Sequence, residues 1–180
     1  GVGILYGKEK WLQKLPPYQG GGEMIDTVSF EKTTYADIPH KFEAGTPAIE
    51  SVVGLSAALN YLMDLGMDKV EQHFHALSAH CHREILEKLP ANSIVGSQSP
   101  DSLGPFSLYY PGISPHIIAR GLSDRYGICL RSGFHCAQPL HEQLNVPASL
   151  RISFWIYNSC EEISQAIEGI VKLTEFVGKK

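Results

Sequence analysis

The sequence lacks any apolar run near the roughly 18 residues that a membrane-spanning helix needs, so a membrane partner is not expected. It lacks a block of basic residues. Fifteen Lys and Arg against nineteen Asp and Glu give a net charge of −4, which argues against nucleic acid as a partner. It lacks a paired cysteine framework: the four cysteines stand at 81, 129, 136 and 160 with no short repeated spacing. In a chain of this size that reads as free thiols in a reducing compartment, with cytoplasmic localisation as the expectation. No signal peptide, internal repeat or low-complexity tract stands out. The first residue is Gly1 rather than Met, which reads as a fragment or a processed product.

What is present is a chain of 180 residues, 43% hydrophobic, able to bury one sizeable core. Val2 to Tyr6 reads as a short strand. Residues 16 to 47 read as irregular, with Pro16-Pro17, Gly20-Gly21-Gly22 and polar turns. An irregular stretch of that length is usually functional or interfacial. Thr46 then offers an N-cap and Pro47 a first helical residue. Val52, Val53, Leu55, Ala58, Leu59 and Leu62 fill one broad face up to Gly66.

Asp68 with Glu71 resembles a capping box for a second helix, with Val70, Phe74, Leu77, Cys81, Ile85 and Leu89 at helical spacing. Ser114-Pro115 opens a third helix, closed by Gly127. Ser159 with Glu162 is a true capping box for a last one. Strands fit at Ile94-Val95, Phe106 to Tyr110, Ile128 to Leu130 and Leu150 to Phe154. Pro105 marks the start of its strand or a sheet edge. The order α-β-β-α-β-β-α from residue 68 predicts an α+β sandwich over a mostly antiparallel sheet. The expected division lies near 66 to 68, giving 1–66 and 67–180.

The chemistry concentrates in Arg131-Ser132-Gly133-Phe134-His135-Cys136-Ala137-Gln138-Pro139. A thiol is nucleophilic only as thiolate, which cationic neighbours and partial exposure favour. Cys136, with His135 before it and Arg131 five residues back, is a candidate for covalent chemistry. The alternative is a small inert hydrophobe near a turn. Cys81 and Cys129 read as core, and Cys160 as structural in the first turn of the last helix.

In Leu150-Arg151-Ile152-Ser153-Phe154 the period of two puts the apolar residues on one face and Arg151 on the other. Arg151 there serves either a substrate carboxylate or a structural ion pair. Thr46 either caps its helix or helps bind phosphate at a helix N-terminus. Metal ligation is not expected. His73 and His75, like His80 and His82, stand two apart and cannot share a helix face, and His75 and His82 are expected on a solvated side. The set His135, Cys136 and His141 matches no closed zinc spacing.

Several stretches resemble group II, SufS-like cysteine desulfurases in the right order. They are Gly3 to Tyr6, Pro16 to Ile25, Phe42 to Pro47, Arg131 to Pro139, Asn145 to Ala148 and Arg151 to Asn158. The resemblance implies an α/β pyridoxal-phosphate enzyme of the aspartate-aminotransferase fold, acting as a homodimer. Residues 1–66 would be the tail of the large domain with the interdomain helix, and 67–180 the α+β small domain. Cys136 would carry a persulfide taken from L-cysteine, with alanine released. Arg151 would hold the substrate carboxylate, and Arg131 and His135 would flank the nucleophile. Thr46 would reach the cofactor phosphate across the dimer.

Phe134 stands where many relatives carry a second histidine. A sulfur acceptor of the SufE or SufU kind would serve iron–sulfur cluster assembly. The Schiff-base lysine has no counterpart among Lys8, Lys10 and Lys14, so the isolated chain is expected to be inactive. The alternatives are a selenocysteine lyase or another class V relative, and a non-catalytic module binding a sulfur-acceptor protein.

Overall fold

A computed structural model describes residues 1–90, 93–96, 99 and 102–178. The chain divides into two units, Gly1–Leu65 and Gly66–Lys180.

The first unit holds α1 (Glu9–Lys14), the hairpin β1 (Ile25–Val28) and β2 (Thr33–Tyr35), a 3-10 turn at His40–Phe42, and α2 (Ile49–Leu65). Met24 is its one buried residue. The expected strand at Val2 to Tyr6 does not form. Nothing among the described residues pairs with it, and Ile4, Leu5 and Tyr6 lie exposed. The expectation of an irregular 16–47 is corrected by the hairpin. Its turn lacks an Asn-Gly signal, because Ser29 closes it instead: the Ser29 hydroxyl oxygen accepts from Glu31 N–H at 3.2 Å and Lys32 N–H at 3.0 Å. Thr27 and Thr34 bond across the strands, and Thr34 donates to Asp26 at 3.0 Å.

Thr46 does not cap α2. The helix starts at Ile49, with Val52 N–H donating to Ala48 C=O at 2.9 Å, so Thr46 and Pro47 precede it.

The second unit runs α3 (Met67–Lys88), β3 (Ile94–Val95), β4 (Phe106–Leu108), α4 (Pro115–Tyr126), β5 (Arg131–Gly133), α5 (Gln138–Gln143), β6 (Ser149–Ile152) and α6 (Cys160–Gly178). Its four strands pair antiparallel in the order β3-β4-β6-β5. Pro105 therefore marks a strand start, not an edge. Leu77, Cys81 and Ile85 of α3, Ile118 and Leu122 of α4, and Ile163, Ile167 and Ile170 of α6 close over Phe106, Leu108, Leu150 and Ile152. Each such side chain, fully buried, stabilises by roughly 1.5–3 kcal/mol. Helices α4 and α6 meet at glycines: a Cβ on Gly121 would stand 3.0 Å from Leu173, and one on Gly169 2.6 Å from Leu122.

The ends follow local chemistry. Gly127 closes α4 in the left-handed region at φ 67°, its N–H bonding Ser123 C=O. Ser159 and Glu162 form the expected capping box on α6, with bonds of 3.3 and 3.0 Å. The box expected at Asp68 and Glu71 is absent. Gly66, at φ 86°, is the N-cap of α3, two residues earlier than expected, so Asp68 lies inside the first turn, where the helix dipole favours its charge.

The strand expected at Ile128 to Leu130 forms instead at Arg131–Gly133, because pairing with β6 sets the register. Cys129 is accordingly exposed, not core. On α3, His73 and His80 tie the helix to the later chain through Asn158 C=O at 3.0 Å and the Ser164 hydroxyl at 2.8 Å. His75 is exposed, but His82 is half-buried with its ring against Phe106, contrary to the expected solvated position.

Candidate functional site

The alternation along β6 builds the site. Leu150 and Ile152 enter the core, so Ser149 and Arg151 face the other way. Arg151 is paired with Ser107 of β4 on one side and Arg131 of β5 on the other. Directly opposed residues of an antiparallel ladder share a face, so the two arginine side chains leave the sheet on the same side. Like charges in that relation are destabilising. Neither arginine has an acidic partner among the described residues, and the Arg151 Nε is buried without an acceptor. The ion-pair alternative for Arg151 therefore has no partner. A buried guanidinium N–H calls for an acceptor, and the planar fork of the group fits a carboxylate.

Residues Phe134 to Ala137 make a tight turn, with Ala137 N–H donating to Phe134 C=O at 2.8 Å. The two central residues, His135 and Cys136, both lie at positive φ, 53° and 62°. That is the signature of a type I′ turn, normally supplied by Asn and Gly. Left-handed backbone at residues with a Cβ costs on the order of 1–3 kcal/mol each. Strain of this size persists only when surrounding contacts hold it. Cys136 sits exposed at the tip, and Arg131 Nη2 points a donor at its Sγ from 3.6 Å.

The contacts that hold the turn run through His135. Its Nε2 lies 3.1 Å from Ser149 C=O and 3.0 Å from the Ser149 hydroxyl. The buried His141 reaches the same hydroxyl through Nε2 at 3.0 Å, while its Nδ1 lies 3.0 Å from Ala137 C=O. The carbonyls can only accept, so His135 carries its proton on Nε2 and His141 on Nδ1. Burial, and after it the charge of Arg151, holds the His135 pKa below its ordinary value. A neutral His135 keeps an unpartnered, buried Nδ1 lone pair. Phe134 packs edge-on against the His141 ring at 5.7 Å.

The structure thus brings Arg131, His135, Cys136 and Arg151 together. Thr46 belongs to the first unit, exposed beside Gly45 at φ 79°. Its hydroxyl bonds to nothing among the described residues. Of the other thiols, Cys81 is buried in the core, and burial pushes its pKa up to about 12, which leaves it inert. Cys160 is half-buried at the start of α6. No cluster of three or more His, Cys, Asp or Glu is placed to hold a metal among the described residues. Sequence reasoning missed Ser149 and assigned His141 only to a rejected metal set. The available signal was the period of two, which puts Ser149 on the same face as Arg151.

An exposed thiol on a strained turn, beside two arginines on one face of the sheet, has counterparts. Residues 1–166 match the aminotransferase class-V family, and this chain belongs to that family. Within it, the chain is 42% identical over 179 residues to a probable cysteine desulfurase of Streptomyces coelicolor, covering 99% of this chain and 42% of that protein. It is 41% identical over 170 residues to a cysteine desulfurase of Haloferax volcanii, covering 94% of this chain and 39% of that one. The crystal structure of an Escherichia coli cysteine desulfurase in an S-sulfonic acid form matches with a TM-score of 0.81 at 34% identity, over 95% of this chain and 42% of that one. The apo cysteine desulfurase of Thermococcus onnurineus matches with a TM-score of 0.84 at 31% identity and the same coverage. The chain spans about 42% of the length of such relatives.

Proposed function

We propose that this chain is the C-terminal part of a group II, SufS-like cysteine desulfurase, which takes sulfur from L-cysteine as a persulfide on Cys136 and releases L-alanine. The observation that carries this reading is the shared face of the sheet. It holds the orphaned Arg151 donor opposite Arg131, which in turn reaches the thiol of Cys136.

Residues 1–66 would be the tail of a large domain and 67–180 the small domain. Pyridoxal 5′-phosphate, when bound, supplies the electron sink that such amino-acid chemistry needs. Thr46 fits its phosphate as an exposed hydroxyl with no other partner, reaching it across a homodimer. The 180 residues alone would be inactive, since Lys8, Lys10 and Lys14 do not match the Schiff-base position.

The roles follow from the chemistry of each group. Arg151 grips the substrate carboxylate with two parallel hydrogen bonds and sets the sulfur toward the turn. The Cys136 thiolate attacks that sulfur. A new S–S bond forms, the C–S bond breaks, and its electron pair stays on the amino-acid carbon, which takes up a proton and leaves as alanine. Arg131 holds negative charge at Sγ, and His135 offers a neutral nitrogen for proton transfer. Exposure at the turn tip lets an acceptor protein of the SufE or SufU kind collect the sulfur for iron–sulfur cluster assembly.

The test is mass analysis of the peptide containing Cys136. The full-length parent protein, loaded with pyridoxal phosphate, is incubated with L-cysteine without reductant. A gain of one sulfur, lost in Cys136→Ser, is the expected result. No gain with the cofactor in place would overturn the desulfurase reading in favour of a selenocysteine lyase or another class-V activity.

A further inference from the structure

We infer that Ser149 and His141 are positioning residues, which hold the His135–Cys136 turn in its strained form and fix His135 as the Nε2–H tautomer, its buried Nδ1 left without a partner. The inference deepens the desulfurase reading and rests on it for what the site is used for.

The argument is one of proton accounting. Ala137 C=O is an acceptor only, so the His141 proton sits on Nδ1 and its Nε2 accepts. The Ser149 hydroxyl proton then goes to His141 Nε2. With that proton committed, the Ser149 oxygen can only accept, and the neighbouring Ser149 carbonyl also only accepts. Both therefore demand a proton on His135 Nε2. The network has one self-consistent neutral arrangement.

Its geometry explains why these residue types stand here. Ser149 is fully buried, directly opposite Gly133 in the β5–β6 ladder. Gly133 lies at φ 117°, a backbone conformation that glycine adopts without strain, and a Cβ there would meet only the His116 ring, at 3.6 Å. Ala137 ends the turn whose central residues are His135 and Cys136, so His141 grips the turn's far end while Ser149 grips its first central side chain. Two side chains of the sheet and α5 thus hold both ends of a turn whose backbone would otherwise relax away from positive φ.

The experiment is nitrogen-15 NMR of the histidine rings in the 180-residue chain, needing neither cofactor nor L-cysteine. The expected spectrum shows His135 protonated at Nε2 and His141 at Nδ1, both protected from exchange. Ser149→Ala should speed exchange of the His135 ring proton by about tenfold, the size of one net hydrogen bond. Ser149→Thr, which keeps the hydroxyl, should restore it. In the cofactor-loaded parent, Ser149→Ala should slow sulfur loading of Cys136 through kcat with little change in KM.

A wild-type His135 carrying its proton on Nδ1, or sampling both tautomers, would overturn the inference without any variant having to fold. So would equal exchange in the Ala and Thr variants. The desulfurase reading fails separately, by the absence of sulfur on Cys136 while the ring spectrum is unchanged.

Discussion

The two units use their apolar residues in opposite ways. Residues 66 onward turn them inward: three helices and a sheet share one core, in which Leu108, Ile118, Leu122, Leu150, Ile167 and Ile170 have no exposed surface. The first 65 residues bury Met24 alone and leave Phe30, Val28, Val53 and Tyr61 in the open. Helix α2 has no buried residue, and Val52, Val53, Leu59 and Tyr61 lie exposed along it. Where burial is internal the site geometry is fixed by the chain itself, and the Cys136 turn lies there. Where burial is deferred, as around Thr46, residues acquire a role only with something added.

The largest break in this contrast should come from the core. Ile167→Ala should destabilise the second unit by roughly 2–5 kcal/mol in denaturant melts, whereas Val53→Ala in the first unit should stay within about 0.5 kcal/mol. An equal cost for both would mean that α2 is already covered in solution. Next, Arg151→Ala in the cofactor-loaded parent should lower kcat/KM for L-cysteine by about ten- to a hundredfold, the worth of charged hydrogen bonds. A thermal melt should show little loss, because the guanidinium has no hydrogen-bond or ion-pair partner among the described residues.

Smaller still, Ser159→Ala should cost about 1 kcal/mol by removing the N-cap of α6, read from the same denaturation curves. The smallest effect is one of pH. Folding holds the His135 pKa below its ordinary 6.5, through burial first and then Arg151. The neutral ring is thus favoured in the fold. The stabilisation it brings is present above pH 6.5 and is lost as pH falls through the lower folded value. His135→Gln should flatten that acid limb of a stability-against-pH curve.

Residues whose partners are close in sequence were legible without coordinates. Ser159 and Glu162, the Ser114-Pro115 opening and Gly127 closure of α4, and the stripe through Leu77, Cys81 and Ile85 all declare themselves within a turn or two. The loop around Cys136 stood out equally, and the alternation along the strand put Arg151 on the face opposite Leu150 and Ile152, as the structure has it. What escaped was set by distant pairing. Strand β5 moved to Arg131–Gly133 because β6 dictated its register, and that shift put Cys129 at the surface and Arg131 beside Arg151. Ser149 joins side chains 14 and 8 residues away, which no local pattern marks. The β1–β2 hairpin hid because a serine hydroxyl replaced the glycine that turns usually announce.

The left-handed pair at 135 and 136 has a consequence for how such a chain can be improved. Selection for stability alone would place Asn-Gly there and gain from it, since those residues adopt the turn without strain. His-Cys persists at a position where nearly any screen for a tougher protein would remove it. On the proposed desulfurase reading, the two residues most worth changing for robustness are the two that sulfur transfer would need, so a thermostable variant selected blind to that activity should be sequenced at this turn before any other.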